Sequence, residues 1–327
     1  MRYKVVSDKI IPVSVCALGT DYFGKTVPEN TAHGLLSYFT EHGGNVIDTA
    51  HVYSDYLPGE KHMSEKVIGR WLKSAGGREK LVVATKGGFP VIGDMHASRI
   101  DYENIRSDLY GSIDCLGTVP DIYWLHRDNP LVPVSEIAGW MEEFRQSGAF
   151  RCWGVSNWQP GRIEEAVEFC RAEGTEGPAF SQIKWSAAVP NPGSAGDDTL
   201  AEMDRTAYGW YCEKRFPVFA YSSQAKGFYS KLKKLEAEKG ALTAPEGKAG
   251  ARYFNAENIR RYELFRALSE RTGKSVAQLA VAWMTMERPF VAVPILGSKN
   301  ILQLEESMSG AVLTLNDWGG LGGSDNV

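Results

Sequence analysis

The sequence predicts an α/β protein built on a parallel sheet closed into a barrel, and three observations carry that prediction. Short apolar runs alternate with longer segments at helical spacing along most of the chain. Eight such runs can be counted. Run after run ends in a polar group, and in a closed parallel barrel those ends share one rim, so residues far apart in sequence face one pocket. An open doubly wound sheet gives the same local pattern and is the structural rival. No GxGxxG follows the first run, and the polar endings continue through the whole chain; both weigh against the open sheet.

Residues 3–12 alternate short β-formers around Ser7-Asp8-Lys9, which reads as a hairpin before the barrel. Residues 13–18 form the first buried strand, ending at Gly19-Thr20, and the Asp21-Tyr22-Phe23-Gly24 loop follows. Asn30 or Thr31 can cap a helix through about residue 42, with Leu35, Leu36 and Phe39 at helical spacing. Val46-Ile47 runs into Asp48, with Tyr53 five positions on, before a helix over 61–73. The same unit repeats. Leu81 to Ala84 leads to Thr85-Lys86 and a helix over 102–116; Ile122 to Leu125 leads to His126 and a helix over 135–147. Gly154-Val155 leads to Ser156-Asn157 and a helix over 162–172; Ala179 to Ser181 leads to Gln182 and a helix over 199–213. The seventh strand, 218–221, ends at Ser222-Ser223. Residues 224–250, rich in Lys, Glu, Ala and Gly, read as a long loop with a helical piece over 232–239, a mobile cover for the rim. Helices over 257–272 and 276–286 precede the eighth strand, which leads to Gly297-Ser298-Lys299, and a last helix covers 302–309. The glycine-rich end, 314–327, reads as a flexible tail.

A length of 327 residues suits one barrel domain over 1–327, since such barrels exceed the usual domain size. An apolar fraction of 43%, a charged fraction of 23% and a net charge of -4 describe an ordinary globular chain, with no basic run to favour nucleic acid or anionic membranes. The five cysteines are scattered and never paired as CxxC, which argues for free thiols in a reducing cytoplasm and against a zinc site or disulfide framework. No signal peptide and no apolar run of about 18 residues is visible, so no transmembrane helix is expected.

Several segments carry a resemblance. Ile47-Asp48-Thr49-Ala50-His51-Val52-Tyr53, Ala84-Thr85-Lys86, Trp124-Leu125-His126-Arg127 and Gly154-Val155-Ser156-Asn157 resemble signature segments of the aldo-keto reductases. Phe219-Ala220-Tyr221-Ser222-Ser223 and Gly297-Ser298-Lys299, with Gln303 and Glu306 following, extend it to the C-terminal part, in the right order and spacing. The resemblance implies a (β/α)8 TIM barrel and hydride transfer between a nicotinamide dinucleotide and a small carbonyl or alcohol.

The chemistry asks for the same residues. Reducing a carbonyl needs a proton delivered at oxygen, so an acid must stand beside the developing alkoxide. Tyr53 would be that acid. Lys86 would lower its pKa by proximity, Asp48 would hold Lys86 charged, and His126 would orient the carbonyl oxygen. The resemblance assigns Ser156, Asn157 and Gln182 to the nicotinamide carboxamide and Trp185 to a stack on its ring. It brings Ser222 and Gly227 to the pyrophosphate, Gly19 and Thr20 to the cofactor's end of the rim, and Gly297, Ser298, Lys299, Gln303 and Glu306 to the adenosine. Lys299 could neutralise a 2′-phosphate, which favours NADP(H), with NAD(H) as the alternative. Gln303 stands where many members carry arginine, and Ser307 where asparagine is frequent. Tyr22, Phe23, Tyr56, Trp124 and Trp158 read as rim aromatics that would stack on a sugar-like substrate. The competing reading is a catalytically idle, cofactor-binding regulatory subunit of the same fold. A metal-dependent hydrolase would need converging His and carboxylate ligands, and the first strand ends in Gly19-Thr20 rather than HxH.

Overall fold

The structure, a computed structural model, describes residues 1–315. An antiparallel hairpin, β1 (Tyr3–Lys4) and β2 (Val13–Ser14), precedes the barrel. Eight parallel strands then close on themselves: β3 (Ala17–Gly19), β4 (Val46–Asp48), β5 (Val82–Gly87), β6 (Ile122–Leu125), β7 (Cys152–Ser156), β8 (Ser181–Lys184), β9 (Val218–Tyr221) and β10 (Ala292–Gly297). Each pairs with the next, and β10 returns to β3 through Gly297 opposite Gly19. Helices cover the outside: α1 (Glu29–Glu41), α2 (Met63–Ala75), α3 (Tyr102–Leu116), α4 (Val134–Gln146), α5 (Pro160–Glu173), α6 (Arg205–Lys214), α7 (Phe228–Lys239), α8 (Lys248–Tyr253), α9 (Ala256–Thr272), α10 (Val276–Thr285) and α11 (Ile301–Ala311).

Successive strand residues point to opposite faces, and the strands obey that rule with apolar groups on both. Inside stand Ala17, Val46, Val82, Ala84, Ile122, Trp124, Cys152, Phe180, Phe219, Val293 and Ile295, a filled core rather than a pore. Outward, Ile47 and Val83 meet α1 and α2, while Tyr123, Leu125, Trp153, Val155 and Ile183 meet the later helices. Gly154 makes room for the Trp124 ring, whose nearest atom would lie 2.5 Å from a Cβ at that position. Ile10 and Val13 join the interior cluster. The hairpin thereby plugs the end of the barrel away from the rim.

Four local expectations change. Val13 and Ser14 belong to the hairpin, and the first barrel strand begins at Ala17. Pro28, not Asn30 or Thr31, precedes α1, and no side chain caps it. Residues 199–204 are not helical; α6 starts at Arg205, where Asp204 accepts from the Ala207 N–H. The long loop expected at 224–250 is mostly helix: a short 3-10 turn (Ala225–Gly227) leads into α7, and α8 follows. Phe228, Tyr229 and Leu232 of α7 are buried in the outer core, and Tyr229 Oη donates to Ala187 O at 2.9 Å. Leu232→Ala should therefore destabilise the protein by about 2–5 kcal/mol in urea titration; a mobile cover would leave the midpoint unmoved.

The glycine-rich tail lies outside the described residues apart from 314 and 315. All five cysteines are free. Among the described residues no helix is long and apolar enough to cross a membrane.

Candidate active site

The inward alternation that fills the barrel also builds its rim. One step above Val46 stands Asp48, above Ala84 stands Lys86, and above Trp124 stands His126. Gly154 leads to Ser156, Phe180 to Gln182, and Phe219 to Tyr221. Apolar layers give way to a polar one at the strands' C-terminal ends, where barrel sites are built. Asp48 and Lys86 are each 1% exposed, so neither ion would be tolerated alone.

They are not alone. Lys86 Nζ donates to Asp48 Oδ1 at 2.5 Å, to Thr49 O at 2.7 Å and to Tyr53 Oη at 2.9 Å. Three acceptors use all three ammonium protons, so this geometry needs the charged lysine. Asp48 Oδ2 accepts from Gln182 Nε2 at 2.8 Å, which fills both carboxylate oxygens. Burial pushes the Asp48 carboxyl up and the Lys86 ammonium down, and each offsets the other's shift.

Tyr53 corrects an expectation. Burial, then the negative charges of Asp48 and Asp21, hold its phenol well above its usual pKa, so Lys86 does not bring it towards neutrality. Because Lys86 donates to Tyr53 Oη, the phenol keeps its own proton free for another acceptor. His126 packs edge-on to Phe89, ring centroids 4.8 Å apart, and lies 6.0 Å from the Tyr53 ring. Burial, Lys86 and Arg127 push its pKa well below the usual value, so the imidazole is neutral. Its Nδ1 is buried without a partner, which leaves Nε2 as the nitrogen open to the rim.

The turn bearing Tyr53 is fastened from behind. His51 Nδ1 bonds Glu65 Oε2 at 2.8 Å, and Glu65 Oε1 accepts from Thr85 Oγ1 at 2.5 Å, beside Lys86. Both Glu65 oxygens are thereby engaged. Ser64 Oγ reaches Thr20 O and Oγ1, each at 2.9 Å.

The other expected residues divide. Asn157 is a clamp. Its Nδ2 donates to His126 O and Ser156 Oγ, and its Oδ1 accepts from Tyr221 Oη at 2.6 Å and from Ala201 N. Among the described residues Gln182 Oε1 has no hydrogen-bond partner, its Nε2 being given to Asp48. Ser222, Ala225, Lys226 and Gly227 all have positive φ, a tight turn just past the C-terminal end of β9. Ser298 Oγ is buried without a partner, and Lys299 is exposed with no ion pair among the described residues. The Lys299 N–H donates to Gln303 Oε1 at 3.0 Å, ahead of the N-terminus of α11. Gly19 closes the barrel beside Gly297.

Several of the expected side chains point elsewhere or are already engaged within the chain. Trp185 cannot stack over the rim: three residues past inward-facing Gln182, it points outward, packs against Trp283, Phe290 and Tyr208, and lies under Arg288. An aromatic that does reach the rim is Tyr221, on the inward face of β9 and near enough to influence Tyr53. An even spacing from Phe219 could have marked it. Trp124 points inward but one layer too deep, buried against Phe180 and Phe219. Trp158 is turned out of the pocket by left-handed Asn157 (φ 63), and its Nε1 donates to Arg127 O at 3.1 Å. Phe23 is buried in the outer core. Thr20 is fully buried, its Oγ1 donating to Asp48 O at 3.0 Å, so its side chain is spent on structure. Glu306 accepts from Ser275 Oγ at 2.6 Å at the start of α10. Tyr22 and Tyr56 remain exposed at the rim.

Fold and site define a class: an enzyme on a (β/α)8 barrel whose rim carries a buried lysine–carboxylate pair beneath a phenol. The chain belongs to the aldo/keto reductase family, whose model matches residues 16–318. It is 24% identical to "Protein tas" of Escherichia coli (strain K12), covering 97% of this chain and 95% of that protein. It is likewise 24% identical to "Aldo-keto reductase YhdN" of Bacillus subtilis (strain 168), covering 97% and 90%. To "Norsolorinic acid reductase B" of Dothistroma septosporum it is 22% identical, over 94% of this chain and 76% of that one. The protein is an aldo-keto reductase-type oxidoreductase, a family that works with nicotinamide cofactors on small carbonyl compounds.

Proposed function

We propose that the protein reduces a small hydroxylated carbonyl compound with NADPH, and that Tyr53 supplies the proton. The observation that carries this reading is the Lys86 ammonium with all three protons committed, one of them to Tyr53 Oη. The bond fixes the phenol oxygen and leaves its proton for a substrate oxygen. Nicotinamide, when bound, supplies the hydride. Neutral His126 offers Nε2 to the same carbonyl oxygen, and Asp48 keeps Lys86 in place.

The rim suits a dinucleotide at two points. Ser156, Gln182 with an Oε1 that bonds no described residue, and Tyr221 stand near the phenol, fit for a carboxamide and an aromatic ring, while Asn157 holds Ser156 and Tyr221 in place. At the other end, the unpaired Ser298 hydroxyl and Lys299 precede a helix N-terminus, a combination that suits a phosphate. Lys299→Glu should therefore weaken NADPH about 10- to 100-fold while changing NADH little. Equal loss for both would remove the proposed phosphate contact.

Nicotinamide absorbance followed over aldehydes, ketones and sugars tests the whole reading. Dinucleotide binding without turnover of any of them would make the protein a cofactor-binding subunit instead.

A further inference from the structure

The mouth of the site carries a charge that carbonyl reduction itself does not require. Asp21 follows Thr20 at the end of β3, and Thr20 is tied to the backbone of Asp48. Tyr56 Oη donates to Asp21 Oδ1, while Ser54 Oγ lies 3.2 Å from Asp21 O as a donor. Both donors sit on the turn that carries Tyr53, so the carboxylate is stitched to the side of the proposed proton donor. Among the described residues no cation forms an ion pair with Asp21. Tyr56 fills Oδ1; Oδ2 accepts nothing from the described chain. Burial pushes the carboxyl up, and its nearest positive neighbours are Lys86 and Lys226. Its charge reaches Tyr53, one of the groups that hold that phenol protonated.

We infer that Asp21 selects the substrate: its open carboxylate oxygen accepts a hydroxyl near the reacting carbonyl, so the site takes neutral polyhydroxylated aldehydes or ketones. A carboxylate only accepts hydrogen bonds, so its partner must donate. An aliphatic aldehyde of equal length would cover the charge without replacing the water it displaces. A site built to bond a hydroxyl rejects the compound lacking it far more strongly than an apolar pocket rejects an extra one. A phosphate or carboxylate at this position would meet a like charge. Tyr22 and Tyr56, exposed beside Asp21, offer ring faces to the carbon skeleton.

The inference rests on the reductase reading above, and one experiment separates the two. Steady-state kcat/KM with NADPH is measured for D-erythrose and for butyraldehyde, in wild type, Asp21→Asn and Asp21→Leu. Wild type should prefer the hydroxylated aldehyde, and Asp21→Leu should lower the ratio of the two constants by about 100-fold. Asp21→Asn, which keeps an acceptor of the same size, should fall between them. NADPH affinity, read from quenching of intrinsic fluorescence, should stay the same in all three proteins. A ratio that does not move, or loss for both aldehydes in parallel, overturns the role of Asp21 and leaves the reductase standing. A wild type that binds NADPH and reduces neither aldehyde, nor any other carbonyl, overturns both.

Discussion

Replacing Tyr53 with phenylalanine should lower kcat for carbonyl reduction by about 1,000-fold, within the range found for removal of a positioned general acid. The ring stays and only the hydroxyl goes, so dinucleotide affinity should hold. Lys86 then keeps two of its three acceptors, and its third N–H loses Oη in a buried site. That orphaned donor costs about 1–3 kcal/mol, a stability loss visible in urea titration but too small to unfold the protein. The pH profile offers a second check. The wild-type phenol is held well above its usual pKa by burial and by Asp48 and Asp21, so it stays protonated at neutral and moderately alkaline pH. The imidazole is held neutral, so it has no charge to lose. Neither group should therefore place a step in the wild-type reduction profile near neutrality. A steep fall centred near neutrality, or a phenylalanine variant that keeps a tenth of the activity, would remove Tyr53 from the proposed role.

How far the site was legible follows from strand alternation. Asp48, Lys86 and His126 each end a short apolar run, and the period of two that buries Val46, Ala84 and Trp124 carries these residues to the rim. The same period exposes the errors. Trp185 sits at an odd spacing from Gln182, so it had to face the helices, where Trp283 and Phe290 receive it. Tyr221, at an even spacing from Phe219, had to face inward. Trp158 escaped this arithmetic because Asn157, a residue type that tolerates the left-handed region, adopts it just past β7 and breaks the alternation. The outer helix α7 was hidden by its own surface: its lysines face water, and three buried residues, Phe228, Tyr229 and Leu232, give too sparse a stripe to mark it as a full helix. The sign of the Tyr53 shift lay beyond the sequence for a different reason. Proximity to a lysine could be inferred, but the depth of burial that outweighs it depends on the closed barrel.

Lys86→Met should cost more than any other single change at the rim, and the cost should separate into a structural and a chemical part. Without the ammonium, Asp48 is left as an uncompensated charge in a nearly dry site, with Gln182 Nε2 still donating to Oδ2. Breaking a buried pair from one side typically costs about 3–5 kcal/mol. Burial already pushes the Asp48 carboxyl up, and Lys86 is the strongest opposing influence, so the variant's carboxyl must rise further. A folded-state pKa above the unfolded value penalises folding at higher pH, and the penalty lifts as pH falls through the folded value. The stability gap between wild type and Lys86→Met should accordingly be widest above neutrality and narrow in acid. Adding Asp48→Asn removes the stranded charge while keeping a similar shape, so the double variant should recover most of the lost stability at neutral pH. It should not recover activity, because Tyr53 Oη still lacks the donor that fixes it. Recovery of both together would mean that the pair serves folding alone. No recovery of stability would mean that the ammonium's bond to Thr49 O, rather than its charge on Asp48, holds this part of the rim.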